Sequence, residues 1–115
     1  MEALYTHYLK EIDQRGLAYL HVMRPFANTM ESDVIALAKS VYSGKVIAAG
    51  GYDGKSAAME VQSGRADAVA FGQLYIANPD LAERFRKGAR LNKANPDTFY
   101  TPGTAGYTDY PAITS

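Results

Sequence analysis

The sequence predicts an α/β fold, with about three parallel strands, flanking helices and an irregular C-terminal tail. Two observations carry this reading. First, the short apolar runs Leu17–Val22, Lys45–Ala49 and Ala68–Phe71 alternate with segments of helical period, and strands that alternate with helices pair in parallel through helical crossovers. Second, the last two runs end in glycine, at Gly50-Gly51 and at Gly72, giving a weak strand–glycine–helix repeat. At 115 residues the chain holds one domain at most. A complete (β/α)8 barrel takes about 250 residues, so the repeat fits a barrel segment or a small wound sheet equally well.

Each element has its own warrant. Over Glu2–Arg15, the apolar residues Leu4, Tyr5, Tyr8, Leu9 and Ile12 line one helical face, and Gly16 suits the position after the helix. Leu17–Val22 reads as a buried strand. Met23–Met30, with Pro25 and Asn28, reads as a loop. Ser32–Tyr42 is an amphipathic helix through Val34, Ile35, Leu37, Ala38 and Val41, closed by Ser43-Gly44. Lys45–Ala49 is the second strand. Gly54–Ser63 is a helix capped by Asp53 and stopped at Gly64. Ala68–Phe71 is the third strand. In Asn78-Pro79-Asp80, Asn is expected to cap, Pro to take the first turn and Asp to complement the dipole of a helix reaching about Lys87, with Gly88 ending it. Residues 89–115 contain five Thr and three Pro without any period, and form a tail ordered only if docked. No linker divides the chain.

Composition excludes several classes. Lys+Arg and Asp+Glu balance at 12 each, against a nucleic-acid footprint and against a polybasic membrane patch. The absence of cysteine removes disulfides, thiolate chemistry and Cys-ligated metals, and fits a cytoplasmic setting. No run approaches 18 apolar residues, and Met1–Lys10 lacks the apolar stretch of a signal peptide. No metal site is expected.

Two glycine junctions can carry chemistry. A phosphate approaches backbone N–H groups closely where no Cβ intervenes, and helix N-termini add partial positive charge. Gly50, Gly51 and Gly72 equally suit plain tight turns. Neither a Walker loop nor a Rossmann fingerprint is present.

An ordered series of motifs then narrows the reading. It runs Ala48-Ala49-Gly50-Gly51-Tyr52-Asp53, Gly64-Arg65-Ala66-Asp67-Ala68-Val69-Ala70-Phe71-Gly72, Ile76-Ala77-Asn78-Pro79-Asp80-Leu81, Leu91-Asn92, Thr98-Phe99-Tyr100 and Gly106-Tyr107-Thr108-Asp109-Tyr110-Pro111. The series resembles the C-terminal third of Old Yellow Enzyme family members, in particular their bacterial ene-reductase and nitroester-reductase branch. Gly16–Val22 is similar to the family's sixth strand. The resemblance spans essentially the whole chain. It implies that residues 1–115 are the C-terminal portion of a flavin oxidoreductase (β/α)8 barrel, with FMN across the strands' C-terminal mouth and NAD(P)H as reductant. The implied activity is hydride transfer to activated alkenes or nitro compounds.

By the same resemblance Ala49, Gly50 and Gly51 meet the FMN phosphate after the seventh strand, and Phe71 and Gly72 form the equivalent turn after the eighth. Phe99 packs near the flavin ring and Tyr100 lines the substrate side; read without the family, both are an apolar anchor for the tail. Family members commonly place arginine after the Gly72 position, where this chain has Gln73. A neutral donor in place of a charged one costs about 1–2 kcal/mol of phosphate binding.

The family's preceding two-thirds supply most contacts to the flavin ring, the substrate-binding His/Asn or His/His pair and the tyrosine proton donor, so no catalytic residue is assigned here. His7 and His21 are read as structural, and Asp53, Asp67, Asp80 and Asp109 as turn and cap residues. Glu83, Arg84, Arg86, Lys87 and Arg90 read as a solvated helix end. The alternative to a flavin-binding segment is a non-catalytic barrel remnant. Its open sheet edges would drive self-association or pairing with a complementary barrel fragment.

Overall fold

The computed structural model describes residues 2–24 and 33–113. The expected loop at Met23–Met30 falls outside them from Pro25 onward. The chain forms two compact units, Met1–Ala70 and Phe71–Ser115. The sequence alone shows no division, because the boundary falls at the last residue of a strand and no linker composition marks it.

In the first unit, helix α1 (Glu2–Asp13) leads to strand β1 (Leu20–Met23), helix α2 (Val34–Val41), strand β2 (Val46–Ala49), helix α3 (Gly54–Gln62) and strand β3 (Ala68–Ala70). The strands pair in parallel in the order β1-β2-β3. The register sets Leu20 against Val46, Val22 against Ala48 and Met23 against Ala49, and on the other side of β2 it sets Ala48 against Val69 and Ala49 against Ala70. Side chains alternate across a strand, so Leu20, Val22, Val46, Ala48 and Val69 share one face. Val46 and Ala48 on that face are fully buried, with α2 packed on β1 and β2. The opposite face carries exposed His21, Met23 and Ala68, half-buried Ile47 and Ala70, and buried Ala49. It has the character of a sheet surface that a closed barrel turns inward.

The first strand begins three residues later than expected. Leu17 and Tyr19 are half exposed, and pairing starts only where Leu20 N–H reaches the Lys45 carbonyl at 2.8 Å. Apolar character marked the neighbourhood of the strand rather than its register. The α1 face is likewise only partly used: Leu9 is buried while Leu4 and Tyr8 are exposed.

Carboxylates tie these elements together. Asp33 caps α2 by accepting from Ala36 N at 3.1 Å, and Arg65 links Asp33 to Glu60 on α3. Asp53 and Ser56 form a reciprocal capping box at the start of α3. Asp67 accepts from Val46 N at 2.8 Å and from Lys39 Nζ at 2.9 Å, which ties the entry of β3 to the start of β2.

The second unit contains helix α4 (Gln73–Ala77), helix α5 (Leu81–Lys87) and a 3-10 helix at Pro96–Thr98. α4 was not foreseen, since five residues are too few to show a helical period. Asn78 does not cap the following helix with its side chain. It is fully buried, donates to the Leu74 carbonyl at 2.9 Å and accepts from Asn92 N at 2.7 Å. Asn92 in turn donates to the carbonyls of Ala77 and Pro111.

Arg84 corrects the expectation of a solvated helix end. It is 4% exposed. Its guanidinium donates to Asp80 Oδ1 at 2.7 Å, to the Arg90 carbonyl at 2.6 Å and to the Pro111 carbonyl at 2.7 Å. Asp80 Oδ2 accepts from Ile113 N at 2.9 Å. The tail is therefore docked on α4 and α5 through a polar core. Gly88 ends α5 in the left-handed conformation, as its position suggested.

Replacing Arg84 with Met strips three acceptors of their donor and leaves a carboxylate uncompensated. A loss of about 3 kcal/mol is expected, read as a lower melting temperature together with faster proteolysis between residues 100 and 113. Arg84→Lys should not restore it, because an ammonium cannot span the same fork of acceptors.

Acid should destabilise the fold in a defined direction. The Val46 N–H and then Lys39 hold the Asp67 carboxyl below its usual range, and Arg84 followed by the Ile113 N–H does the same for Asp80. Groups depressed in the folded state contribute stability above the unfolded value of about 3.9 and lose it as pH falls through the folded values. The urea midpoint should stay flat near neutrality and drop below about pH 4, with a shallower drop in Asp67→Asn. A midpoint that rises on acidification would contradict this.

Candidate functional site

The turn after β2 is built by its neighbour strand. Met23 pairs with Ala49, which carries the chain on so that Arg24 N–H donates to the Ala49 carbonyl at 2.8 Å. Arg24 Nε then donates to the Gly50 carbonyl at 2.9 Å, and its guanidinium lies over the Tyr52 ring, 3.7 Å from the centroid. Gly50 has φ +102° and Gly51 φ +71°, both in the left-handed region that only glycine enters freely.

The two glycines differ in what surrounds them. A Cβ on Gly50 would stand 2.8 Å from the Arg24 carbonyl oxygen and 3.1 Å from its nitrogen. Glycine there makes room for the main chain of Arg24. Among the described residues a Cβ on Gly51 would meet only Arg24 Nη2, at 3.7 Å, and Gly51 is exposed. Its bare Cα leaves an accessible face beside a cation.

The N-terminus of α3, three residues further on, carries a side-chain cap. Asp53 Oδ1 accepts from Ser56 N at 2.7 Å, a bond that holds its carboxyl below the usual range. The helix end expected to add positive charge to the turn is thus capped by a carboxylate of its own. Tyr52 is buried and donates to Glu60 at 3.0 Å. Burial and then that hydrogen bond push its phenol up to about 12, against the pull of Arg24, so it stays protonated.

The remaining expected residues lie in the second unit. Phe71 is half-buried against Phe85, with ring centroids 5.3 Å apart. Gly72 precedes α4 at φ −88°, a conformation open to any residue, and no side chain caps that helix. Gln73 opens α4 and is exposed. Phe99 and Tyr100 meet edge to face at 6.5 Å. Tyr100 is 95% exposed, so it does not anchor the tail; Arg84, Asn92 and Asp80 do. Gly50 and Gly51 follow directly on Ala49 at the end of β2, and Phe71 and Gly72 lead directly into Gln73 at the start of α4.

His7 and His21 are both exposed. His21 lines a cavity of about 400 Å3 beside the edge of β1, together with Tyr5, Tyr8, Met23 and Leu37. Among the described residues no three His, Asp or Glu side chains cluster to hold a metal, and no helix is long and apolar enough to cross a membrane. Sequence reasoning missed Arg24, which it placed in an unremarkable loop. The signal was only the position of a cation one residue beyond a strand.

Residues 1–92 match the family of NADH:flavin oxidoreductases and NADH oxidases. A 12-oxophytodienoate reductase-like protein of Solanum lycopersicum is 41% identical over 97% of the chain, which covers 31% of that relative. A probable flavin mononucleotide-dependent alkene reductase of Leishmania infantum is 41% identical over 96% of the chain and 30% of its own length. Among solved structures, the old yellow enzyme from Trypanosoma cruzi superposes with a TM-score of 0.91 at 43% identity, over 98% of the chain and 30% of the enzyme. Morphinone reductase in complex with tetrahydroNAD gives 0.87 at 44%, over 98% of the chain and 31% of the enzyme. The chain thus spans about a third of the length of these relatives, and its three parallel strands are a segment of their barrel. It belongs to the NADH:flavin oxidoreductase / NADH oxidase family, the group that contains the old yellow enzymes.

Proposed function

We propose that this chain forms the phosphate side of an FMN site in an NAD(P)H-dependent oxidoreductase of the ene-reductase type. The observation that carries the reading is the turn after β2. An exposed glycine in the left-handed conformation sits just past the C-terminal end of a parallel strand, its Cβ position open among the described residues and a guanidinium beside it. Ligands of parallel sheets and barrels bind at that end of the strands. The open face at Gly51 suits a phosphate oxygen approaching the main chain.

FMN, when bound, supplies hydride chemistry between NAD(P)H and an activated alkene or nitro compound. The chain's own residues bind and orient. Ala49, Gly50 and Gly51 offer main chain to the phosphate. Phe71 and Gly72 form the corresponding turn ahead of α4, whose uncapped start leaves N–H groups for hydrogen bonding. Gln73 offers a neutral amide there. Phe99 is assigned to the flavin ring and Tyr100, fully solvated in this chain, to the substrate side. The small-molecule substrate is the only partner this reading requires; nucleic acid and membrane have no place in it. The setting is cytoplasmic.

A second reading has one observation in its favour. Among the described residues β1 and β3 each pair on one side only, and His21, Met23 and Ala68 leave one sheet face open. Such edges recruit other strands. On this reading the chain is non-catalytic by itself and self-associates or pairs with a complementary barrel fragment. Size-exclusion chromatography with and without FMN, combined with NAD(P)H oxidation in the presence of an enone, separates the two. Co-purified flavin with turnover supports the first reading; colourless oligomers inert at high FMN support the second.

Restoring a charge after Gly72 gives a sharper test. Gln73→Arg is expected to tighten FMN binding about tenfold, measured by quenching of flavin fluorescence, and to leave riboflavin, which lacks the phosphate, unaffected. Equal tightening of both flavins, or of neither, would remove Gln73 from the phosphate side.

A further inference from the structure

We infer that Arg24 is the phosphate-positioning cation of the β2 turn and supplies charge that Gln73 does not. This rests on the flavin-phosphate reading above and assigns a residue to it. Three contacts place the side chain. Its main-chain N–H extends the β1–β2 pairing to the Ala49 carbonyl, its Nε donates to the Gly50 carbonyl, and its guanidinium stacks on Tyr52. Two attachments on one planar group leave little rotational freedom, so the guanidinium is set before any ligand arrives. Nη2 lies 3.7 Å from the Cβ position of Gly51. An anion seated on the bare face of Gly51 therefore comes within reach of a charge-assisted hydrogen bond from Arg24.

The surrounding charges favour the same assignment. Asp53 is the nearest carboxylate along the chain, and its Oδ1 is committed to the Ser56 N–H. As the N-cap of α3 it also sets a negative charge against the positive end of that helix's dipole. Glu60 accepts from Tyr52 and from Arg65. Tyr52, buried and protonated, presents its ring to the guanidinium without competing for its outer nitrogens. Among the described residues, Arg24 is the charged group that reaches the open face of Gly51.

The test is a comparison of FMN with riboflavin on the full chain, by fluorescence quenching, for wild type, Arg24→Gln and Arg24→Lys. Inorganic phosphate serves as competitor. Arg24→Gln is expected to weaken FMN by about tenfold or more while leaving riboflavin affinity unchanged, and Arg24→Lys to keep most of the preference for FMN. The wild-type preference should shrink as salt is raised, and that of Arg24→Gln much less. A role confined to holding the turn would lower both flavins together in Arg24→Gln, and that result overturns the assignment. So does a wild type that binds FMN and riboflavin equally. If Arg24→Gln fails to fold by circular dichroism, Arg24→Lys decides: loss of the FMN preference in a variant that keeps the charge overturns the proposal. Wild type that binds neither flavin nor phosphate overturns the flavin reading itself, and this inference with it. Unchanged FMN affinity in folded Arg24→Gln overturns Arg24 alone.

Discussion

The register between β1 and β2 governs the first unit. Met23 opposite Ala49 carries Arg24 to a position where its N–H meets the Ala49 carbonyl and its side chain folds over the next two residues. The same register makes glycine obligatory at position 50, because the main chain of Arg24 occupies the space a side chain would need. A slip of one residue would exchange the faces of β1 and bring His21 and Met23 against α2. The half-buried Leu20 and Val22 on the helix side resist that slip. Strand pairing, glycine placement and the location of the guanidinium are thus one constraint seen at three points.

The second unit solves a different problem. Residues 89–113 have little apolar periodicity to bury, and the tail is held by hydrogen bonds instead. The Pro111 carbonyl accepts from both Arg84 and Asn92, and Asp80 holds both Arg84 and Ile113 N–H. Each polar group in this cluster has a partner, as buried polar groups must. Specificity is the consequence: the tail has one way to satisfy Arg84, whereas an apolar contact of equal area would tolerate sliding. Gly106 adds a steric condition, since a Cβ there would collide with Thr98.

The legible parts of the sequence were those where local physics acts alone. Asp53 before Gly54–Ser63 announced a cap, and it caps. Val34, Ile35, Leu37, Ala38 and Val41 announced a helix face, and α2 buries Ile35 and Ala38. Gly88 announced a helix end. Long-range roles were illegible. Arg84 sits among charged neighbours, so its burial depends on carbonyls six and 27 residues away. Asn78 precedes Pro79 in a helix-start pattern, yet its side chain is claimed by Asn92. Arg24 has significance only once β2 lies beside β1. Of the candidate site, the motif series located the glycine turn, but motif order carries no information about which side chain crosses it.

The distribution of charge at that turn decides how an anion would be met. A helix that begins three residues after a glycine turn would ordinarily present its own N–H groups and dipole to a phosphate. Here the Asp53–Ser56 capping box uses the Ser56 N–H and sets a carboxylate at the helix end, which stabilises α3 and weakens its pull on an anion. A full positive charge comes from outside the βα unit, where Arg24 arrives from the adjacent strand, fixed by Gly50 and Tyr52. A charge delivered across a sheet register depends on the pairing of two strands, whereas a helix dipole depends on one helix. With Arg24 assigned to the phosphate as proposed, loosening β1 would degrade that contact before it unfolds α3, coupling the integrity of the edge strand to the turn after the interior one.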